Sequence, residues 1–574
     1  MGRERLLSLF LAITVLLITG CRFSLPLSRS ATPTPDFVLP VEASPTPPAP
    51  ATVSVTATLL PGTVLTAPPV PTPPSSSAEQ VLILAGTPEG PLTLDPALVR
   101  DVESAFVVQQ LFRGLVRFDR ALVPVPELAE RIEIGPDGRS YTIRLRADAR
   151  FHDGDPITAA DVKYSLERAC DPALADGDGR ALPAWGFLRD LVGAQARMLG
   201  RRSDVPGIEV VDERTLRLHL VEPSPTFLLR LALPVASVVK RDAVERGPDW
   251  WRQPVGSGPF RLVRWTDEEI VLGRHPQYRP APAYLREVRI RIGPAALSPL
   301  NQYERGQLDV AAVPVWAVDR LSAPESPYRD QLIAQPLLGG TYVFFNPGVP
   351  PLDDLVVRRA LIQAFPRAKV AGVTLQGKVP LAQGLIPEGM PGGPWEATVL
   401  PYDPGEARRV LTGRSLRVEV ASAGSDVAIM LGQVWRRELG VEVEVLQYDW
   451  PDYLTELDAR RLPIFVFSWV ADYPDPEAVI DALFAEESPN RPIDYRNAAL
   501  QELLAAARRA TDPQERHALL LAAQQQILDD VVVLPLTFDV EYLLVAPRVR
   551  DLPVTPLGIL GLERVWIAPE RAAR

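Results

Sequence analysis

From about Ala78 onward the chain carries two hydrophobic periods. "SYTIRLRADARF" puts Tyr141, Ile143 and Leu145 on one face and Thr142, Arg144 and Arg146 on the other. "TLRLHL" (215–220), "EVRIRI" (287–292) and "VEVEVL" (441–446) alternate in the same way. A period of two is that of strands with one buried face. Helices are marked by their starts. Thr158 stands three residues before Asp161, a capping-box-like opening to "TAADVKYSLERAC". Asp403-Pro404 and Asp512-Pro513 each set an N-cap acid before a proline suited to the first helical position. Strand and helix patterns are mixed along the chain. The class is therefore α/β or α+β, and no repeat of solenoid or propeller length is present.

One stretch combines pattern with chemistry. In "SWVADYPDPEAVIDALF" (468–484) an apolar strand over 465–470 gives way to acids, prolines and an apolar helix pattern. Asp475 precedes Pro476 and reads as an N-cap. Glu477 falls in the first turn, where the helix dipole favours an acid. Asp472 has no such local role. It sits on the strand-to-helix connection beside Trp469 and Tyr473, as either a turn residue or a binding carboxylate. The two aromatics suit pocket walls or core packing equally.

The N-terminus has a different pattern. Arg3 and Arg5 precede an apolar run from Leu6 to Ile18, then Thr19-Gly20-Cys21. The run is short for a membrane span and reads as a signal-peptide core. A cysteine directly after small residues resembles the lipobox of bacterial lipoproteins, which implies that Cys21 is diacylated and anchored by two chains. From Arg22 to about Ser77 the chain is rich in Pro, Thr, Ser and Ala. Such a segment cannot bury a core and reads as a disordered or polyproline-like tether. At ~3.1 Å per residue it would reach roughly 170 Å.

Composition narrows the function classes. The 574 residues suffice for two to four domains, and a net charge of −11 disfavours general nucleic-acid binding. With Cys21 lipidated, Cys170 is left alone and no intramolecular disulfide forms. The histidines at 152, 219, 275 and 517 have no metal-ligand spacing. "GVTLQGKV" (372–379) matches a phosphate-binding loop up to Lys378, but Val379 offers no hydroxyl for magnesium and Pro380 stands where the helix should begin. No cofactor or metal is expected. The acids of "DYPDPE" leave a glycosidase as a remote enzymatic alternative.

Six segments, in order, resemble the extracytoplasmic solute-binding proteins of ATP-binding-cassette importers, in the peptide and nickel class (family 5). They are "TLDPALVRDVESAFVVQQLFRGLVRFD" (93–119), "VPELAERIEIGPDGRSYTIRLRADARFHDGDPITAADVKYSLERACDP" (125–172) and "VGSGPFRLVRW" (255–265) with "RHPQYRPAPAYLREVRIRI" (274–292). "FFNPGVPPLDDLVVRRALIQAFPR" (344–367), "YDPGEARRVL" (402–411) and "WVADYPDP" (469–476) complete the set. Phe365-Pro366-Arg367 departs from the family's acid and Arg, and the proline should end that helix early.

The resemblance implies a periplasmic-binding-protein type II-like α/β fold, with two lobes, a hinge and an extra domain inserted in lobe I. Lobe I would comprise 78–116, 208–293 and 533–574, the inserted domain 117–207, and lobe II 294–532. It implies a non-enzymatic, monomeric carrier at the outer face of the cytoplasmic membrane or in the periplasm. This carrier would enclose a solute by hinge closure and hand it to a permease and ATPase complex. A peptide is the first expectation for the ligand. A nickel chelate, haem, an oligosaccharide or an opine is the alternative, as is a receptor that signals. Transferred residue by residue, Asp472 would take a ligand α-ammonium, with Trp469 and Tyr473 as walls. Val99, Arg100 and Ser257 would approach the ligand backbone.

Overall fold

The structure is a computed structural model that describes residues 62–68, 77–175, 182–279 and 281–569. The expected signal peptide, Cys21 and most of the tether lie outside the described residues. Among those residues no helix is long and apolar enough to cross a membrane.

A ten-stranded mixed sheet runs through the molecule. Its centre is a pair of long antiparallel strands, Leu332–Phe345 and Val533–Val545, of 14 and 13 residues. On one side of this pair lie Ile464–Val470, Arg417–Ser422 and Glu442–Gln447. On the other lie Val310–Ala312, Val81–Ala85, Glu287–Arg291, Glu269–Arg274 and Phe260–Trp265. The central pair lies between cores on its two sides, and a larger core joins Ile132, Ile143 and Val238 to Phe344 and Phe465. One core holds Val343, Phe345, Leu361 and Trp435, and another holds Leu82, Phe112, Leu272 and Ile290.

The pair is irregular where it passes between the halves. Its register shifts between Pro336 and Gly340, and again between Thr341 and Tyr342. A β-carbon at Gly340 would stand 2.8 Å from the Tyr342 hydroxyl and 2.9 Å from the Thr537 carbonyl oxygen, so only glycine fits there. Bulges of this kind bend strands and re-aim their neighbours.

A second, five-stranded antiparallel sheet orders Val64–Thr66, Ala129–Ile134, Ser140–Leu145, Thr215–His219 and Ile208–Asp212. The alternating faces hold here: Tyr141, Ile143, Leu145, Leu216 and Leu218 are all buried. Three boundary expectations change. The strands at 208–219, expected in lobe I, pair with Ser140–Leu145, because alternation identifies a strand but not its partner. Val310–Ala312, expected in lobe II, lies between Val81–Ala85 and Val533–Val545. Residues 62–68 do not continue the unstructured tether. Leu65 pairs with Ile132 on the sheet edge, and the Ile134 amide donates to the Thr63 carbonyl at 3.0 Å. "TVLT" has three β-branched residues of four inside an otherwise Pro-rich segment, and an unpaired edge accepts such a strand.

The helix starts follow the sequence. Thr158 and Asp161 form the full capping box, and Asp403 and Asp512 cap helices opening at Pro404 and Pro513. The helix Leu355–Gln363 stops before Pro366, as the departure from the family pattern predicts.

Candidate functional site

The strand Ile464–Val470 ends against the irregular part of the central pair. Gly340 is in register with Trp469, and the Ala471 amide donates to the Leu338 carbonyl at 2.8 Å. The chain then turns into the helix Glu477–Phe484. Asp475 caps this turn: it accepts from the Glu477 amide at 2.9 Å while Arg516 donates two hydrogen bonds to it at 2.8 and 2.7 Å. Glu477 accepts from the Thr226 hydroxyl at 3.0 Å and from Arg516 at 3.3 Å. Asp481 is bridged by Arg189 at 2.7 Å and by Arg508, whose Nε lies 2.8 Å away. Burial would raise the Asp481 pKa, but the two guanidinium groups outweigh it and hold it below the usual carboxylate range.

Asp472 is the exception in this acidic run. Among the described residues its carboxylate has no hydrogen-bond or ion-pair partner. The side chain is part-buried, and burial alone pushes its pKa to about 7. A carboxylate partly withdrawn from water and without a protein donor is costly, and such groups concentrate at functional sites.

Trp469 donates from its indole N–H to the Ala478 carbonyl at 2.8 Å, which fixes the ring against the following helix. It lines a cavity of about 250 Å³ between Leu92, Leu98, Arg100, Leu174 and Leu182 on one side and Leu454, Asp458, Phe467 and Arg491 on the other. The walls are mainly apolar, with Leu98, Leu182, Leu454 and Phe467 among them. Arg100 also lines this cavity, but its charge is matched: two hydrogen bonds at 2.7 and 2.8 Å join it to Asp458 across the cavity. This pair ties the two walls together.

The remaining expected residues fall elsewhere. Tyr473 is 3% exposed and packs into the core behind the connection. Ser257 is 1% exposed; its hydroxyl accepts from the Arg113 amide at 2.9 Å and so ties the "GSGPF" turn to the end of the helix Val102–Leu111. Val99 packs against the core formed by Leu94 and Val108. Neither these three nor Asp472 is among the lining residues of the cavity. Asp472 instead follows its Trp469 wall by three residues along the chain.

Sequence reasoning missed Asp458, Arg491 and the leucines of the helix Trp450–Asp458, all of which line the cavity. No local pattern marks them, since folding alone brings them to 92–101. A second acid was also missed: Asp539, on the central strand, is pushed up to about 6 by burial, with one opposing hydrogen bond from Thr341 at 3.1 Å. Among the described residues no cluster of His, Cys, Asp and Glu could hold a metal ion.

Comparison with known proteins places this geometry. The profile of the bacterial extracellular solute-binding proteins, family 5, middle region, matches residues 123–490. The chain is 29% identical over 489 residues to the probable deoxycholate-binding periplasmic protein YgiS of Escherichia coli K12, covering 81% of this chain and 89% of that one. It is 28% identical over 522 residues to the periplasmic oligopeptide-binding protein OppA of the same strain, covering 86% and 94%. The structure of the Escherichia coli murein tripeptide binding protein MppA superposes with a TM-score of 0.79 at 24% identity, over 86% of this chain and 100% of that one. The fold is thus the two-lobed α/β architecture expected from the sequence, and the chain belongs to the family 5 bacterial extracellular solute-binding proteins.

Proposed function

We propose that this protein is the substrate-binding component of an ATP-binding-cassette importer, enclosing a peptide between two lobes and presenting it to a membrane permease without chemical change. The unpaired, partly desolvated carboxylate of Asp472 carries this reading. A peptide α-ammonium supplies the cation and donors that Asp472 lacks. Its neighbours Asp475, Glu477 and Asp481 are already matched by arginines and have no such need. The names of the relatives OppA and MppA, which refer to oligopeptides and a murein tripeptide, support the same ligand class. The halves on either side of the central strand pair would be the lobes, with the register shifts at 336–342 as hinge. The five-stranded sheet would be the extra domain. Arg100 and Trp469 would contact ligand from opposite walls, and Cys21 would anchor the monomer to the membrane through the tether.

The relative named for deoxycholate supports a second reading, an apolar steroid acid, which the apolar cavity walls favour. A steroid acid brings no cation to Asp472, so the peptide remains the better match. Native mass spectrometry of gently purified protein, with thermal-shift screening of peptides and bile acids, separates the two. A retained peptide mass and shifts with free-amine peptides are expected. A bile-acid shift with none from any peptide would overturn the proposal.

A further inference from the structure

Two ionic contacts join parts of the chain that belong to different sheets or to opposite sides of the central strand pair. The first crosses the cavity. Arg100 follows the strand Val81–Ala85 and stands directly before Asp101, the N-cap of the helix Val102–Leu111. Asp458 ends the helix Trp450–Asp458, which leads into the strand Ile464–Val470 on the other side of the central pair. Both Nη atoms of Arg100 donate to the two Asp458 oxygens, and Nη2 also reaches the Pro489 carbonyl at 3.3 Å. The side chains are 23% and 20% exposed, so water reaches the pair only in part.

The second contact lies where the five-stranded sheet meets the helix Glu477–Phe484. Arg189, which falls in the chain between the strands Ser140–Leu145 and Ile208–Asp212, bridges to Asp481. This contact is redundant. Arg189 has Glu477 and Glu487 at 3.6 Å as well, and Asp481 also holds Arg508. The pair in the cavity has the more demanding geometry, a planar fork set on two carboxylate oxygens.

Such a pair does not act alike on a closed and an open form. With the halves together, each charge is partly withdrawn from water, and the attraction of its partner offsets that cost. With the halves apart, both charges are hydrated and neither needs the other. Loss of one partner therefore penalises the closed form alone and moves the population toward the open one.

We infer that Arg100 and Asp458 form a latch: their pair bars one side of the cavity in the closed form and sets how fast an enclosed ligand escapes. This deepens the reading of the two halves as closing lobes and rests on it.

The test reverses the charges singly and together, as Arg100→Glu, Asp458→Arg and the double variant. Closure is read on the full chain as the distance between nitroxide labels at Arg286→Cys on one half and Arg437→Cys on the other, both exposed positions, while Cys170 is buried. Distances are taken with and without tri-leucine, chosen for the apolar walls, and its release is followed by stopped-flow displacement. Each single reversal is expected to favour the longer distance and to speed release about tenfold or more, and the double variant to return both toward the parent. Arg100→Gln and Asp458→Asn should act in the same direction and replace any reversal that does not fold. Single variants that close on tri-leucine as the parent does, or a double variant as open as the singles, would overturn the latch and leave the lobes standing. One distance common to the parent and every variant, with or without tri-leucine, would overturn closure itself and the latch with it. Distances that follow the charges in protein that binds no tri-leucine would uphold the latch and count against the peptide.

Discussion

Replacing Asp472 by Asn should make the unliganded protein more stable and its ligand complex weaker. Burial lifts the folded pKa of Asp472 to about 7, against 3.8 for an ordinary aspartate. Between these values the unfolded chain has released the proton that the folded chain keeps. Stability therefore falls as pH rises from about 4 to 7, and the penalty is complete above 7. A shift of roughly three units at about 1.4 kcal/mol per unit sets a ceiling of roughly 4 kcal/mol. The carboxylate is only part-buried, so about 1–3 kcal/mol is a reasonable expectation. Asn keeps the shape and removes the charge. Urea unfolding of parent and variant at pH 4, 5.5 and 7.5 measures the effect as a difference at each pH, which cancels the other titrating groups. The variant's advantage should be near zero at pH 4 and greatest at pH 7.5. A difference that is flat with pH, or a less stable variant at pH 7.5, would refute the claim that this carboxylate is uncompensated.

Other groups give separate signals. His152 accepts from the Gly256 amide through Nδ1 at 3.1 Å, so its proton sits on Nε2, facing the Gly258 carbonyl at 3.2 Å. Burial, with His275 alongside, holds its pKa down at about 3; stability should fall by about 1.4 kcal/mol per pH unit below 6.5, and His152→Gln should flatten this acid limb of an unfolding series. Removing Asp481 takes from the buried Arg189 its 2.7 Å partner and leaves Glu477 and Glu487 at 3.6 Å, so Asp481→Ala should cost about 2–3 kcal/mol in denaturant unfolding, whereas a loss under 1 kcal/mol would mean that this pair is dispensable. Cys21→Ala should abolish palmitate labelling and release the protein from membranes; persistent labelling would contradict a lipid anchor at that residue.

The strands and helix caps were legible because their signals are local. Side chains alternate within one strand, and an Asp-Pro pair caps its own helix, so Tyr141 and Asp403 could be read without neighbours. Sheet membership was not, because 208–219 and 310–312 choose partners distant in sequence. The site divides in the same way. Asp472 stood out once Asp475 and Glu477 had local duties. Arg491 and Asp458 look like surface charges in sequence, and only folding encloses the first and sets the second against Arg100. The family motif pointed to Ser257 and Tyr473 but not to the direction their side chains take, which is inward.

The central claim is that Asp472 holds the amino end of an imported peptide. Isothermal titration of a free-amine dipeptide and its N-acetyl counterpart, with the parent protein and Asp472→Asn, tests it most directly. The account predicts that acetylation costs the parent about 2 kcal/mol or more of binding free energy and that this cost largely disappears in the variant. Equal affinities in the parent, or an undiminished preference for the free amine in Asp472→Asn, would contradict it.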